Sequence, residues 1–200
     1  MDNTPNISSL VITADILAVI SELDEFKGAW SAIGRLTPDR LFNLRRVATI
    51  ESVGSSTRIE GVKMTDREVE SLLSNLDIKG FKSRDEQEVA GYAAAMDLVF
   101  ESHPELSLTE NHIRQLHQML LRHSDKDERH RGAYKTVPTP VVAFDAEGRE
   151  VGVVIETTLP FDTPREMADL VAWTQTAIDE ASLHPLLIVA VFTVVFLAIH

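Results

Sequence analysis

Apolar residues recur at helical spacing along most of the chain, and a helix-start signal precedes each recurrence. Thr13 stands as an N-cap before a stripe of Ile16, Leu17, Ile20, Leu23 and Phe26, with Gly34 as a stop. Thr37-Pro38 opens a second helix carrying Leu41, Leu44 and Val47 or Ala48, and Gly54 is expected to interrupt it. Thr65-x-x-Glu68 and Ser83-x-x-Glu86 are capping-box patterns. The first opens a helix with Val69, Leu72, Leu73 and Leu76 inward and Gly80 at its close. The second opens one with Val89, Tyr92, Ala93, Met96 and Phe100 inward, where Gly91 and Ala93 to Ala95 permit close approach by a neighbour. Thr109 starts a helix carrying Ile113, Leu116, Leu120 and Leu121, followed by a charged loop from Ser124 to Arg131. These cycles share no fixed period, which argues against a solenoid.

At Gly132 the pattern changes. Val137 to Phe144 and Arg149 to Ile155 are β-branched segments separated by the turn former Asp145-Ala-Glu-Gly148, which predicts one hairpin. Pro138 and Pro140 cannot donate to a ladder, so the first strand belongs at an edge. Thr163-Pro164-Arg165-Glu166 reads as a cap with proline at the first helical position, and Met167, Leu170, Val171, Trp173 and Ile178 as the inward side. Pro185 to Ile199 is apolar except for Thr193, yet shorter than the roughly 20 residues that a membrane span needs. It is expected to be a helix buried on all sides, with a buried strand as the open alternative. The fold class is therefore mainly α with one β-hairpin.

Composition narrows the functions. A chain of 200 residues suits one domain, or one domain with a helical extension. It has no cysteine, and a net charge of −12 argues against nucleic acid as a partner. The first residues lack the basic stretch and apolar run of a secretory signal, so a cytoplasmic location away from membranes is expected. His112, His117, His123 and His130 lack the spacing of a metal motif, and no metal site is expected. Neither G-x-x-x-x-G-K-[ST] nor G-x-G-x-x-G occurs.

The stretch Ser56-Thr-Arg-Ile-Glu60-Gly61 places a hydroxyl and a carboxylate one helical turn apart, with glycine as a stop. Spacing alone is satisfied by a capped helix end with a solvated glutamate. The sequence Ser56-x-x-x-Glu60-Gly61 also resembles the inhibitory motif, [Ser/Thr]-x-x-x-Glu-[Gly/Asn], of Fic-domain proteins. Further features fall in that family's order. Gly132-Ala-Tyr134-Lys135 is similar to the Gly-x-Tyr-Arg approach to the flap, the hairpin to the flap, and Thr163 to Ile178 to the helix after it. Phe196-Leu-Ala-Ile-His200 resembles the entry to the catalytic loop His-Pro-Phe-x-x-Gly-Asn-Gly-Arg, of which only the first residue is present.

The resemblance implies an N-terminal helical region over 1–80 with the inhibitory motif at 56–61, and the N-terminal part of a Fic core over 81–200 with its flap at about 137–155. It implies AMP transfer from ATP, with Mg²⁺, to a hydroxyl side chain of a target protein. His200 matches the general base, a task suited to a group whose unperturbed pKa is about 6.5. Ser56, Glu60 and Gly61 match the inhibitory helix, whose glutamate in the family holds an arginine of the catalytic loop and obstructs placement of the ATP γ-phosphate. Val137, Pro138, Thr139, Pro140 and Val141, with Val153, Val154 and Ile155, match the flap that docks the target by main-chain pairing. A chain ending at His200 is expected to be inactive alone, and its uncovered apolar helix to drive association into a homo-oligomer or aggregate. The alternative is a helical regulatory or protein-interaction module without catalysis.

Overall fold

The computed structural model describes residue 7 and residues 10–33, 38–75 and 80–199. They form α1 (Ala14–Ile33), α2 (Pro38–Ile59), α3 (Asp66–Leu73), α4 (Arg84–Ser102), α5 (Glu110–Leu120), β1 (Val141–Phe144), β2 (Glu150–Ile155), α6 (Thr163–Asp179) and α7 (Pro185–Ile199). This is the mainly α class with one hairpin. The chain divides into two compact units, residues 31–133 and residues 1–30 with 134–200. The expected roles of Gly34, Thr37, Leu76 and His200 lie outside the described residues.

In the unit of residues 31–133, cap chemistry fixes where helices begin. The Thr65 hydroxyl accepts from the Glu68 N–H at 3.4 Å while the Glu68 carboxylate accepts from the Thr65 N–H at 2.8 Å, which starts α3. Ser83 caps α4 through the Glu86 N–H at 3.2 Å, but the Glu86 carboxylate reaches to the N–H of Lys82 at 2.6 Å. Thr109 accepts from the His112 N–H at 3.1 Å to start α5. The core is Val53 of α2, Val62, Val69 of α3, and Val89 and Ala93 of α4, with Ile50, Met64, Leu72, Leu73 and Tyr92 packed around it. A Cβ at Gly91 would sit 2.0 Å from the Leu120 carbonyl oxygen, so α4 and α5 approach as closely as glycine allows.

Three expectations are corrected here. Gly54 does not interrupt α2, which runs unbroken to Ile59. A Cβ there would lie 2.7 Å from Asp66 Oδ1 and 2.9 Å from the Arg58 guanidinium, so the glycine makes room for the Arg58–Asp66 ion pair at 2.8 Å. Helix α3 stops at Leu73 instead of reaching Gly80, because the Ser74 N–H closes it on the carbonyls of Glu70 and Leu72. Phe100 is exposed, its ring lying 5.0 Å beneath the Arg45 guanidinium.

In the other unit, Thr13 caps α1 by accepting from the Ile16 N–H at 3.3 Å. The expected inward stripe of α1 is nevertheless uncovered, with Ile16, Leu17, Leu23 and Phe26 exposed. Strands β1 and β2 pair antiparallel, Val141 opposite Ile155 and Phe144 opposite Glu150, with two register shifts between. The Asp145 carboxylate closes the turn by accepting from the N–H groups of Glu147 at 3.0 Å and Arg149 at 2.8 Å. Pro138 and Pro140 precede β1, where no ladder donor is required.

Thr163 is the first residue of α6 and not its cap; its hydroxyl donates to the Leu159 carbonyl at 3.0 Å, and Asp162 holds the cap position. Met167, Leu170 and Val171 are buried as expected, while Ile178 is exposed and Thr174 and Ala177 are buried in its stead. The apolar segment is the helix α7, which resolves the helix-or-strand alternative. It is not buried on all sides: Leu187, Ile188 and Ile199 are covered, whereas Leu186, Val189, Val194 and Leu197 are exposed. Among the described residues no helix is long and apolar enough to cross a membrane.

Candidate functional site

The end of α2 is closed almost entirely by main chain. The Gly61 N–H donates to the Arg58 carbonyl and the Val62 N–H to the Thr57 carbonyl, each at 3.1 Å, with Gly61 at φ +98°. That pair of bonds is a Schellman motif, with Glu60 as C-cap and Gly61 as the left-handed residue beyond it. Val62 is buried in the core, and the Lys63 N–H donates to the Asp85 carboxylate at 2.8 Å, which ties the chain leaving the turn to the start of α4.

These contacts place the predicted side chains. Ser56 is half-buried in the last turns of α2, and its Oγ accepts from the Tyr92 hydroxyl of α4 at 3.0 Å. Glu60 is exposed, and its carboxylate has no hydrogen bond or ion pair among the described residues. It stands where the helix presents its negative end, a position that favours cations. Tyr92 was legible only as a core residue; its role in fixing Ser56 depends on the packing of α2 on α4, 36 residues away in sequence.

The unit of residues 1–30 and 134–200 holds the other candidates. All of β2 is exposed, as are Val137, Pro138, Thr139 and Val141, while Pro140 is half-buried. Below the strands the two legs are tied by polar side chains. Lys135 Nζ donates to Thr157 Oγ1 at 2.9 Å and to Thr139 Oγ1 at 3.3 Å, and Thr157 Oγ1 donates to the Thr139 carbonyl at 3.1 Å. Burial lowers the pKa of Lys135, opposed by the negative charge of Glu166. The Thr158 hydroxyl donates to the Glu166 carboxylate of α6 at 2.5 Å, and the Thr158 N–H donates to the Ala198 carbonyl in the last turn of α7 at 3.0 Å. None of Thr139, Thr157 and Thr158 carries a motif by spacing, so these contacts gave no sequence signal.

The four histidines are dispersed in role. His112 Nδ1 lies 2.6 Å from the Ser107 carbonyl, and the His123 ring packs 4.5 Å from that of Phe81. Burial, then the charges of Arg122 and Arg131, hold the His123 pKa below its ordinary value. Among the described residues no three His, Asp or Glu side chains converge as a metal set.

No protein-family model matches the sequence, and no curated protein matches it. Among solved structures, the fold is similar to that of a Fic-domain-containing signalling protein from Bacteroides thetaiotaomicron, with a TM-score of 0.70 and 24% sequence identity. The match covers 84% of this chain and 61% of that one, so this chain spans about three fifths of that protein's length. At that identity the likeness shows the fold: a Fic-type helical arrangement carrying a single hairpin.

Proposed function

We propose that this chain is the regulatory and target-docking part of a cytoplasmic Fic-type adenylyltransferase that moves AMP from ATP to a hydroxyl of a target protein. The observation that carries the reading is Glu60: an exposed carboxylate without a partner among the described residues, on a residue whose main chain is fixed at the C-cap of α2, where the helix dipole disfavours negative charge. Glu180 holds the same C-cap position in α6, so what sets Glu60 apart is its place in Ser56-x-x-x-Glu60-Gly61, with Ser56 fixed by Tyr92 one turn earlier. The likeness of the fold to a Fic-domain-containing protein supports the reading, and the resemblance of Ser56-x-x-x-Glu60-Gly61 to the family's inhibitory motif implies that this glutamate restrains an arginine of the catalytic loop.

In this reading the target hydroxyl attacks the α-phosphorus of ATP, pyrophosphate leaves, and His200 takes the hydroxyl proton. The exposed hairpin holds the segment bearing that hydroxyl by main-chain pairing, which places few demands on the target's side chains. Glu60 obstructs the γ-phosphate by repulsion and by occupying the guanidinium that would hold it. Mg²⁺, which the family resemblance implies, would neutralise the phosphates of ATP when bound; among the described residues no three His, Asp or Glu side chains converge to hold it by themselves.

The test is AMP incorporation from labelled ATP by a protein that carries this chain together with the full catalytic loop. Glu60→Gly is expected to raise incorporation at least about tenfold, the effect of releasing a charge-assisted contact. Glu60→Gln should release part of the inhibition and His200→Ala should abolish transfer. Equal rates for wild type, Glu60→Gly and Glu60→Gln would overturn the inhibitory role, and no transfer by any of them would favour the non-catalytic module.

A further inference from the structure

The hairpin meets the rest of its unit through two adjacent residues that make contacts in three directions. Thr157 reaches the incoming leg, through Lys135 Nζ and the Thr139 carbonyl. Thr158 reaches α6 by its hydroxyl, through Glu166, and α7 by its N–H, through the Ala198 carbonyl. The bond to the Ala198 carbonyl is main chain to main chain, so the segment leaving the hairpin is tied to the backbone of α7 as well as to a side chain of α6. Both threonines are half-buried, which strengthens each of these bonds relative to bonds fully exposed to water.

We infer that Thr157, Thr158 and Lys135 form a clamp that sets the position of the hairpin relative to the C-terminal turn of α7. Lys135 and the two threonines are positioning residues. The strands themselves form a two-stranded ribbon whose outgoing member is exposed throughout, an arrangement with little stability of its own. The clamp therefore decides where the ribbon points. A lysine does this where the resembling motif has arginine: its ammonium gives separate donors to Thr157 and Thr139, on the two legs of the hairpin. The meaning for catalysis rests on the transferase reading, since α7 leads directly to His200, the residue matched to the base. The clamp as a mechanical joint does not rest on it.

Amide hydrogen exchange on the chain tests the joint without reference to transfer. Thr157→Val keeps the size of the side chain and removes the hydroxyl; it is expected to raise exchange at residues 142–155 and at the Thr158 amide about threefold to tenfold. Amides of α6 and α4 serve as the internal reference and should keep their wild-type rates. Thr157→Ser retains the hydroxyl and should keep wild-type protection of the hairpin. Lys135→Met should loosen the same amides, and Lys135→Arg should restore them. Unchanged hairpin exchange in Thr157→Val, an equal rise throughout α6, or the same loosening in Thr157→Ser would each overturn the clamp. If the exchange pattern is as expected and the protein with a full catalytic loop transfers no AMP, the transferase reading fails and the clamp stands.

Discussion

The corner at Ser56 to Gly61 and the base of the hairpin are held by opposite means. At the corner the closing bonds are main-chain to main-chain and span six residues, so the side chains of Ser56 and Glu60 take no part in closing the turn. At the hairpin base, apart from the main-chain bond of Thr158 to Ala198, the bonds between the two legs run through a lysine and threonine hydroxyls separated by 18 to 22 residues in sequence. A group held by main chain keeps its place whatever its own chemistry, whereas a segment held by side chains can be retuned by single substitutions. Under the proposed function, the first arrangement fixes the backbone from which Glu60 projects, and the second sets the aim of the docking hairpin.

The sharpest way to break this contrast is at Gly61. Its φ of +98° lies in the left-handed region, where a β-branched residue is strongly disfavoured. Gly61→Val is expected to lower stability by about 2 kcal/mol in urea unfolding, with Gly61→Asn losing less than half as much. A loss below about 0.5 kcal/mol for the valine variant would show that the main-chain closure does not govern the corner.

A smaller effect is expected at the entry to α3, which follows the corner. Thr65→Ala removes the cap and should lower stability by about 1 kcal/mol. The cap also carries a pH signature. The Thr65 N–H, and then its hydroxyl, hold the Glu68 carboxyl below its usual pKa. A carboxyl depressed in the folded state contributes stability that is complete above its unfolded pKa of about 4.3 and is lost as pH falls through the lower folded value. Acid titration of unfolding should therefore show a loss below about pH 4 in wild type, and this component should be smaller but still present in Thr65→Ala, which removes the hydroxyl and keeps the N–H of residue 65. Matching acid profiles in the two proteins would mean that the Thr65 hydroxyl has no share in depressing Glu68 and that the main-chain N–H does it alone.

The smallest effect has the most diagnostic sign. Glu60→Lys reverses the charge at the negative end of α2 and should raise stability by about 0.5 kcal/mol, measured as an upward shift in melting temperature. Stabilisation by Glu60→Lys, together with faster transfer in the protein carrying the full catalytic loop, would show that Glu60 is kept for function at a cost to the fold. A loss of stability would instead place Glu60 among the contacts that build the corner.

What the sequence made legible was local. Thr13, Thr65, Ser83 and Thr109 act as caps because the signal and the bond lie within three residues of each other. The hairpin was legible for the same reason, through Asp145 and Gly148 in its turn. Gly54 misled because the cost of a helical glycine is set against packing that sequence does not reveal, here the Arg58–Asp66 pair. Thr163 misled because a hydroxyl before proline can equally donate backward, as it does to Leu159. The exposure of α1 and of much of α7 is invisible to periodicity, which identifies an apolar face but not what covers it. At the candidate site, the spacing of Ser56 and Glu60 was readable, while Tyr92 and the clamp at Lys135 depend on contacts distant in sequence.

The Schellman closure at Gly61 also bears on how such a protein changes over generations. Because the turn is sealed by N–H groups, the identity of residue 60 is nearly independent of whether the chain folds. Under the proposed inhibitory role, a single codon could then grade the restraint from full to none while the surrounding helices stay as they are. On that reading, lineages that need a tighter or looser brake would have a path between the two that requires no compensating changes elsewhere.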